Sequence, residues 1–193
     1  MIIGLSGFAR SGKDEFAKVA VEEFGFKRIA FADKLREFLY ALNPIVMGEW
    51  DKNVGMAYAR VSQVIDYFGW DGYKESDYGP EIRTLLQRLG TEAGRQTLWD
   101  TIWIDAALGE CHLDVNYVVS DARFLNEFEA ITRRRGTIVR VEREGVGPAN
   151  DHASEMEALT YDFPIVIENN GTLDEYHQAV RGFLKGFMHA SRI

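Results

Sequence analysis

The residues with the clearest chemistry lie near the start of the chain. Gly7-Phe8-Ala9-Arg10-Ser11-Gly12-Lys13 has the form G-x-x-x-x-G-K. That order suits a string of phosphates. The glycines let successive backbone N–H groups curl into a concave nest for anions. A helix opening at Lys13 adds the positive end of its dipole. The lysine supplies a mobile cation for the β- and γ-phosphates. Position 14 departs from the common pattern, in which a Ser or Thr hydroxyl meets magnesium. Here Asp14 stands, followed by Glu15. Asp14 admits two readings: an oxygen ligand near Mg2+, directly or through water, or a first-turn acid favoured by the helix dipole.

Further candidates follow other apolar runs. Ser120-Asp121-Ala122-Arg123 places an acid and a base just past Tyr117-Val118-Val119. Asp121 suits a carboxylate beside bound magnesium, and also an N-cap for the helix that follows. Asp33 and Arg36 are one helical turn apart; Arg36 suits either an acceptor phosphate or a solvated face. Gln87, Thr91 and Arg95 recur at i, i+4 and i+8, and so share one face of a regular helix. Arg88, Glu92 and Gln96 form the neighbouring stripe, and without further signal both stripes read as an exposed polar face. Arg140 and Arg143 flank a Gly-rich loop, with His152 and Ser154-Glu155 beyond it. Arg133, Arg134 and Arg135 end a helix, where cations are favoured. Trp70, Trp99 and Trp103 read as core.

These groups need strands and helices to hold them. Short apolar runs at Met1–Ser6, Lys27–Ala32, Asn116–Ser120, Thr137–Glu142 and Phe163–Ile167 read as five strands. Helical spacing is seen over Lys13–Phe24, over a segment capped by Asp33 and ended by Asn43-Pro44, and over Phe124–Arg135 and Leu173–Met188. Between the second and third strands, Gly48 to His112 reads as helical with breaks, with no strand. It holds helices over Ala57–Phe68, Pro80–Gln96 and Trp99–Cys111, with a turn-rich connector at Gly69–Lys74. Strands alternating with helices predict a parallel α/β sheet covered on both faces. In such sheets ligands bind beyond the carboxyl ends of the strands.

Composition bounds what this apparatus serves. The chain of 193 residues fits one domain. Its net charge of −8 argues against gripping a nucleic-acid polymer over a broad face. Yet 15 of the 22 basic residues are Arg, whose planar fork suits phosphate. A single cysteine, Cys111, precludes an internal disulfide. No apolar run approaches a membrane span and no signal-peptide pattern is present, so a soluble cytoplasmic protein is expected. A homodimer is left open.

The motif strings resemble those of the phage-type deoxynucleoside monophosphate kinases. Gly-Phe-Ala-Arg-Ser-Gly-Lys-Asp, Phe-Ala-Asp-Lys-Leu-Arg, Leu-Leu-Gln-Arg-Leu-Gly-Thr-Glu-Ala-Gly-Arg, Val-Ser-Asp-Ala-Arg-Phe-Leu-Asn-Glu, His-Ala-Ser-Glu and Asn-Asn-Gly-Thr-Leu-Asp-Glu occur in that order over nearly the whole chain. Asp after the loop lysine is common in that family, whereas Glu15 is less usual. The resemblance implies a three-layer P-loop kinase fold with a five-stranded parallel sheet. It implies a core over 1–47 and 113–193, a helical acceptor-binding insertion over about 48–112 and a lid over about 143–155. It further implies transfer of the ATP γ-phosphoryl group to a deoxynucleoside monophosphate, with ATP and Mg2+ bound.

On that reading Gly7, Arg10, Ser11, Gly12, Lys13, Asp14 and Glu15 surround the donor nucleotide. Asp33, Arg36, Gln87, Arg88, Thr91, Glu92 and Arg95 serve the acceptor. Lys13, Asp121, Arg123 and Arg143 act at the transferring phosphoryl, and Asp14 and Asp121 position the metal. Two other readings stay open: another small-molecule P-loop kinase, of the dephospho-coenzyme A or phosphomevalonate type, and a non-catalytic nucleotide-binding protein. The guanine-binding Asn-Lys-x-Asp motif is absent, which disfavours a GTPase.

Overall fold

The structure, a computed structural model, describes residues 1–48, 55–147 and 160–190. The chain begins with β1 (Ile2–Ser6), α1 (Lys13–Phe24), β2 (Lys27–Ile29) and α2 (Phe31–Leu42). It continues through β3 (Ile45–Met47), β4 (Tyr58–Arg60), α3 (Val61–Gly72), a 3₁₀ turn (Tyr73–Glu75) and α4 (Gly79–Arg88). A π-helical segment (Leu89–Gln96) and α5 (Ile102–Gly109) follow. The remaining elements are β5 (Tyr117–Val119), α6 (Leu125–Arg133), β6 (Thr137–Glu142), β7 (Ile165–Glu168) and α7 (Leu173–Ala190).

Contacts divide the chain into two compact units. The first comprises Met1–Phe31 and Ala107–Ile193, and the second Ala32–Ala106. The sequence expectation started the insertion near residue 48, whereas this division assigns nearly all of α2 to the second unit.

The first unit is built on a five-stranded sheet in the order β2-β5-β1-β6-β7. Every pairing is parallel, with Ile3 opposite Val118 and Leu5 opposite Val139. β1 lies at the centre and all five of its residues are buried, which explains its unbroken apolar run. Ile3 and Leu5 face a core with Phe16, Val19 and Ala20 of α1 and Tyr176, Val180 and Leu184 of α7. Alternation sends Gly4 to the opposite face, where a Cβ would come 2.6 Å from Ile131 of α6. Helices therefore cover both faces. Burying a side chain such as Phe16 contributes ~1.5–3 kcal/mol, so this core sets the frame that holds the strand ends.

β2 is an edge strand with Lys27 and Arg28 exposed, and it stops at Ile29 rather than Ala32. The reason lies in Asp121. Its Oδ1 accepts the Phe31 backbone N–H at 2.8 Å, satisfying a donor at the first turn of α2. The helix therefore starts two residues before Asp33, which lies inside the first turn and is not its cap.

The second unit has its own core of Leu39, Val46, Val61, Val64, Ile65, Tyr73 and Ile82. It is not purely helical. β3 and β4 form an antiparallel ribbon, Val46 opposite Ala59, in which Tyr58–Arg60 replaces the expected first turn of a helix. α3 breaks at Gly69 (φ 70°), within the expected connector. Trp103 is buried, but Trp99 is 53% exposed, so Trp99 is not core.

Candidate active site

The loop between β1 and α1 has the conformation its composition predicts. Gly7, Arg10 and Gly12 all have positive φ, at 143°, 67° and 114°. Alternating backbone signs of this kind turn amides toward one side and carbonyls toward the other. Gly12 has no room for a side chain, since a Cβ would lie 2.4 Å from Asn169 Nδ2 and 3.2 Å from the Tyr176 ring. Four of the loop's carbonyls meet side-chain donors. Lys13 Nζ donates to Gly7 O and Phe8 O, both at 2.7 Å. Asn169 Nδ2 donates to Ser11 O at 2.8 Å, and the Tyr176 hydroxyl to Gly12 O at 3.0 Å. Ser11 is buried, and its Oγ has no hydrogen-bond partner among the described residues. A buried hydroxyl without a partner is costly unless a ligand satisfies it. The loop thus fits an anionic, acceptor-rich ligand.

Burial lowers the Lys13 pKa to about 8, with Arg123 and Arg140 adding to the fall and Asp14 and Asp121 opposing it. Two carboxylates and two guanidinium groups therefore act on one ammonium group. Asp14 is exposed in the first turn of α1. Glu15 instead turns to α7, where its carboxylate lies 3.0 Å from His177 Nε2.

Asp121 caps α2, as described above, and not the helix that follows it. At α6 that task falls to Glu127, whose Oε2 accepts the backbone N–H groups of Arg123 (2.7 Å) and Phe124 (3.1 Å). Glu127 is 2% exposed, so the turn carrying Arg123 is held from below while its side chain stays exposed. Arg140 is only 4% exposed. Its guanidinium lies between the rings of Phe8 (4.7 Å) and Phe163 (5.1 Å), with Nε 3.3 Å from Glu142. It lines a cleft of about 310 Å³ beside the loop with Phe8, Ser11, Arg143 and Asn170. Motif and spacing alone point to neither Asn169 nor Tyr176, and they give Arg140 only as a flank of the Gly-rich loop. Asn169 stands in a quoted motif string; Tyr176 carries no local signal, because only the fold brings it to the loop.

In the second unit, Arg36 is half-buried. Its guanidinium lies 3.3 Å from Asp33 and 5.7 Å from the centre of the Trp70 ring. Arg88 and Glu92 form an exposed pair at 3.5 Å. The expected shared face of Gln87, Thr91 and Arg95 is altered, because the helix changes type at Leu89. A π turn takes more residues than an α turn, so i, i+4 and i+8 drift apart. Gln87 and Thr91 are exposed while Arg95 is half-buried. Trp103 Nε1 donates to Gly90 O at 2.9 Å, and its ring fills the space a Cβ on Gly94 would need.

The family described as deoxynucleotide monophosphate kinase matches residues 73–180. The chain belongs to this family. A protein of Acanthamoeba polyphaga mimivirus described as a deoxynucleotide monophosphate kinase is 27% identical over 93% of this chain and 94% of its own length. The deoxynucleotide monophosphate kinase of Escherichia phage RB69 is 27% identical over 54% of this chain and 45% of its own. Among solved structures, the dephospho-CoA kinase from Campylobacter jejuni superposes with a TM-score of 0.53 at 12% identity, covering 98% of both chains. That likeness shows a shared fold: the three-layer arrangement of a P-loop kinase.

Family membership makes the chain a kinase acting on small-molecule nucleotide substrates, and specifically a deoxynucleoside monophosphate kinase. It gives the dephospho-coenzyme A alternative no support beyond fold. Among the described residues, no helix is long and apolar enough to cross a membrane. No group of three or more His, Cys, Asp or Glu side chains is placed to hold a metal ion among them either. The expected lid lies partly outside the described residues: 148–155 fall there, including His152, Ser154 and Glu155.

Proposed function

We propose that the first unit binds ATP through the Gly7–Lys13 loop and that the γ-phosphoryl group passes to the 5′-phosphate of a deoxynucleoside monophosphate. An acceptor phosphate oxygen bonds to the γ-phosphorus, the bond to the β–γ bridging oxygen breaks, and ADP leaves. The observation that carries this reading is the loop itself: positive-φ glycines, a desolvated lysine and a buried Ser11 hydroxyl without a partner among the described residues. Such a reaction asks the protein for positioning and charge neutralisation more than for covalent help.

In this reading Lys13 and the loop amides from Gly7 to Lys13 take the β- and γ-phosphates. The rim residue Arg10 closes that side. Arg123 and Arg143 meet the charge that develops on the transferring group. Arg36 and Arg95 take the acceptor phosphate, with Arg88 and Asp33 beside them. Gln87, Thr91 and Glu92 read its sugar or base. A bound Mg2+ would supply positive charge to neutralise the phosphates. Asp14 and Asp121 are the carboxylates to hold it, since both act on the Lys13 ammonium group. Magnesium in such sites needs only one or two carboxylates besides phosphate and water, which suits the lack of a larger cluster among the described residues. Glu15 serves the nucleotide through α1, whose first turn it shares with Asp14. Such substrates suit a cytoplasmic enzyme, in the host cytoplasm if the chain is phage-encoded.

The test is direct. ATP is offered with each deoxynucleoside and ribonucleoside monophosphate, and with dephospho-coenzyme A, and products are separated. Diphosphate from at least one deoxynucleotide is expected. Arg95→Ala should raise the acceptor KM by about tenfold, the worth of a charge-assisted hydrogen bond. Turnover of dephospho-coenzyme A alone would overturn the proposal, and an unchanged acceptor KM in Arg95→Ala would remove that residue from it.

A further inference from the structure

The loop amides that face a phosphate are aimed by carbonyls that face away from it. A trans peptide is planar, with its C=O and N–H pointing in opposite directions. A donor that pins the carbonyl of one residue therefore aims the N–H of the next. Two side chains do this from distant parts of the chain. Asn169, just past β7, pins Ser11 O and so aims the Gly12 N–H. Tyr176, in the first turns of α7, pins Gly12 O and so aims the Lys13 N–H.

The need for pins is local. Gly12 has φ 114°, a region in which glycine moves with little hindrance. Gly12 O also accepts the Phe16 N–H at 3.0 Å, the first bond of α1, so this carbonyl joins the loop to the helix. Both pins are themselves well supported. The Asn169 backbone N–H donates to Glu142 O at 2.7 Å, and Tyr176 is 2% exposed within the sheet–helix core. Burial pushes the Tyr176 phenol above its ordinary range, which keeps its proton available for donation.

We infer that Asn169 and Tyr176 are positioning residues for the donor nucleotide, fixing the Gly12 and Lys13 amides on its phosphates without touching it. This rests on the phosphate-loop reading above. Tyr176→Phe keeps the ring and removes only the hydroxyl. Asn169→Asp keeps the shape and removes the donor, and Asn169→Ala serves should the new carboxylate impair folding. ATP affinity is measured calorimetrically with Mg2+, beside the KM of both substrates and the melting temperature.

Each variant should weaken ATP binding about fivefold or more, the worth of one hydrogen bond, with the acceptor KM within twofold of wild type. ATP affinity unchanged within twofold overturns the inference. So does equal loss for both substrates in step with a lowered melting temperature, the mark of a merely structural role. Wild-type protein that fails to bind ATP would instead sink the phosphate-loop reading and this inference with it. Wild type that binds, with variants that match it, sinks the pins alone.

Discussion

The phosphate loop and the π-helical segment make opposite use of the chain. On the proposed reading, backbone does the binding in the loop and side chains hold the backbone: Asn169 and Tyr176 donate to the carbonyls of Ser11 and Gly12. In Leu89–Gln96 the backbone is the support, wedged by Trp103 at Gly90, and side chains such as Thr91 and Arg95 are what it presents. A backbone site needs few residue types in a fixed order, and it leaves a motif. A side-chain site needs only a scaffold of the right pitch, which many sequences can supply.

Loss of the loop's cation is the sharpest way to separate the two regions. Lys13→Met should lower kcat by ~10²–10³-fold, the cost of removing one donor to developing charge. Acceptor binding, measured by calorimetry, should stay near wild type. A Lys13→Met enzyme with kcat within tenfold of wild type would mean that the two regions do not divide the work in this way. The same lysine gives the comparison a pH axis. Its pKa is lowered to about 8, chiefly by burial and next by Arg123, so the cation is lost as pH rises through that value. The kcat/KM for ATP, which reports the free enzyme, should fall about tenfold per unit above it. Lys13→Arg, charged at any working pH, should lack that limb even if slower. For stability the sign is the reverse. Between about 8 and the ordinary 10.5 the unfolded chain binds more protons at this residue, so its contribution to stability rises with pH.

Glycine substitution probes each region's support at a smaller scale. Gly12→Ala forces a side chain into positive φ and toward Asn169 and Tyr176; Gly94→Ala drives one to 2.8 Å from both Leu89 O and Trp103 Nε1. Each should cost about 1–3 kcal/mol of stability in denaturant titrations. The functional signatures should differ. Gly12→Ala raises the ATP KM, and Gly94→Ala the acceptor KM. If both variants raised the same KM, the division of labour would be wrong.

This contrast also explains what could be read from the sequence. The central parallel strands are legible because buried parallel strands are continuous apolar runs, as β1 and β5 are. The phosphate loop is legible because glycine spacing encodes its backbone. What escapes the sequence is long-range or subtle. Tyr176 reaches the loop across 164 residues of chain. Asp121 caps α2 rather than the helix next to it, because strand β5 lies beside β2 in the sheet. The ribbon of β3 and β4 is short, and four of its six residues are exposed, so it carries little periodic signal. The π turn has no periodic signature beyond its two glycines, so face assignments made at α-helical spacing go astray there.

Trp103→Phe asks whether that π turn matters to function or is only a way of packing glycine. Phenylalanine keeps most of the apolar fill but loses the Nε1–H bond to Gly90 O. A buried carbonyl left with fewer donors costs about 1 kcal/mol, so a small fall in stability is expected. If the π geometry sets where Thr91 and Arg95 stand, the acceptor KM should rise severalfold while the ATP KM holds. If stability falls and both KM values stay at wild type, the segment's pitch is structural. The acceptor site would then rest on Arg36 and its neighbours Asp33 and Trp70 alone. Because Phe38 meets the Trp103 ring edge-on at 6.1 Å, Phe38→Leu serves as the control that loosens the same ring without touching the bond to Gly90. Equal effects from the two variants would assign the change to packing and not to the hydrogen bond.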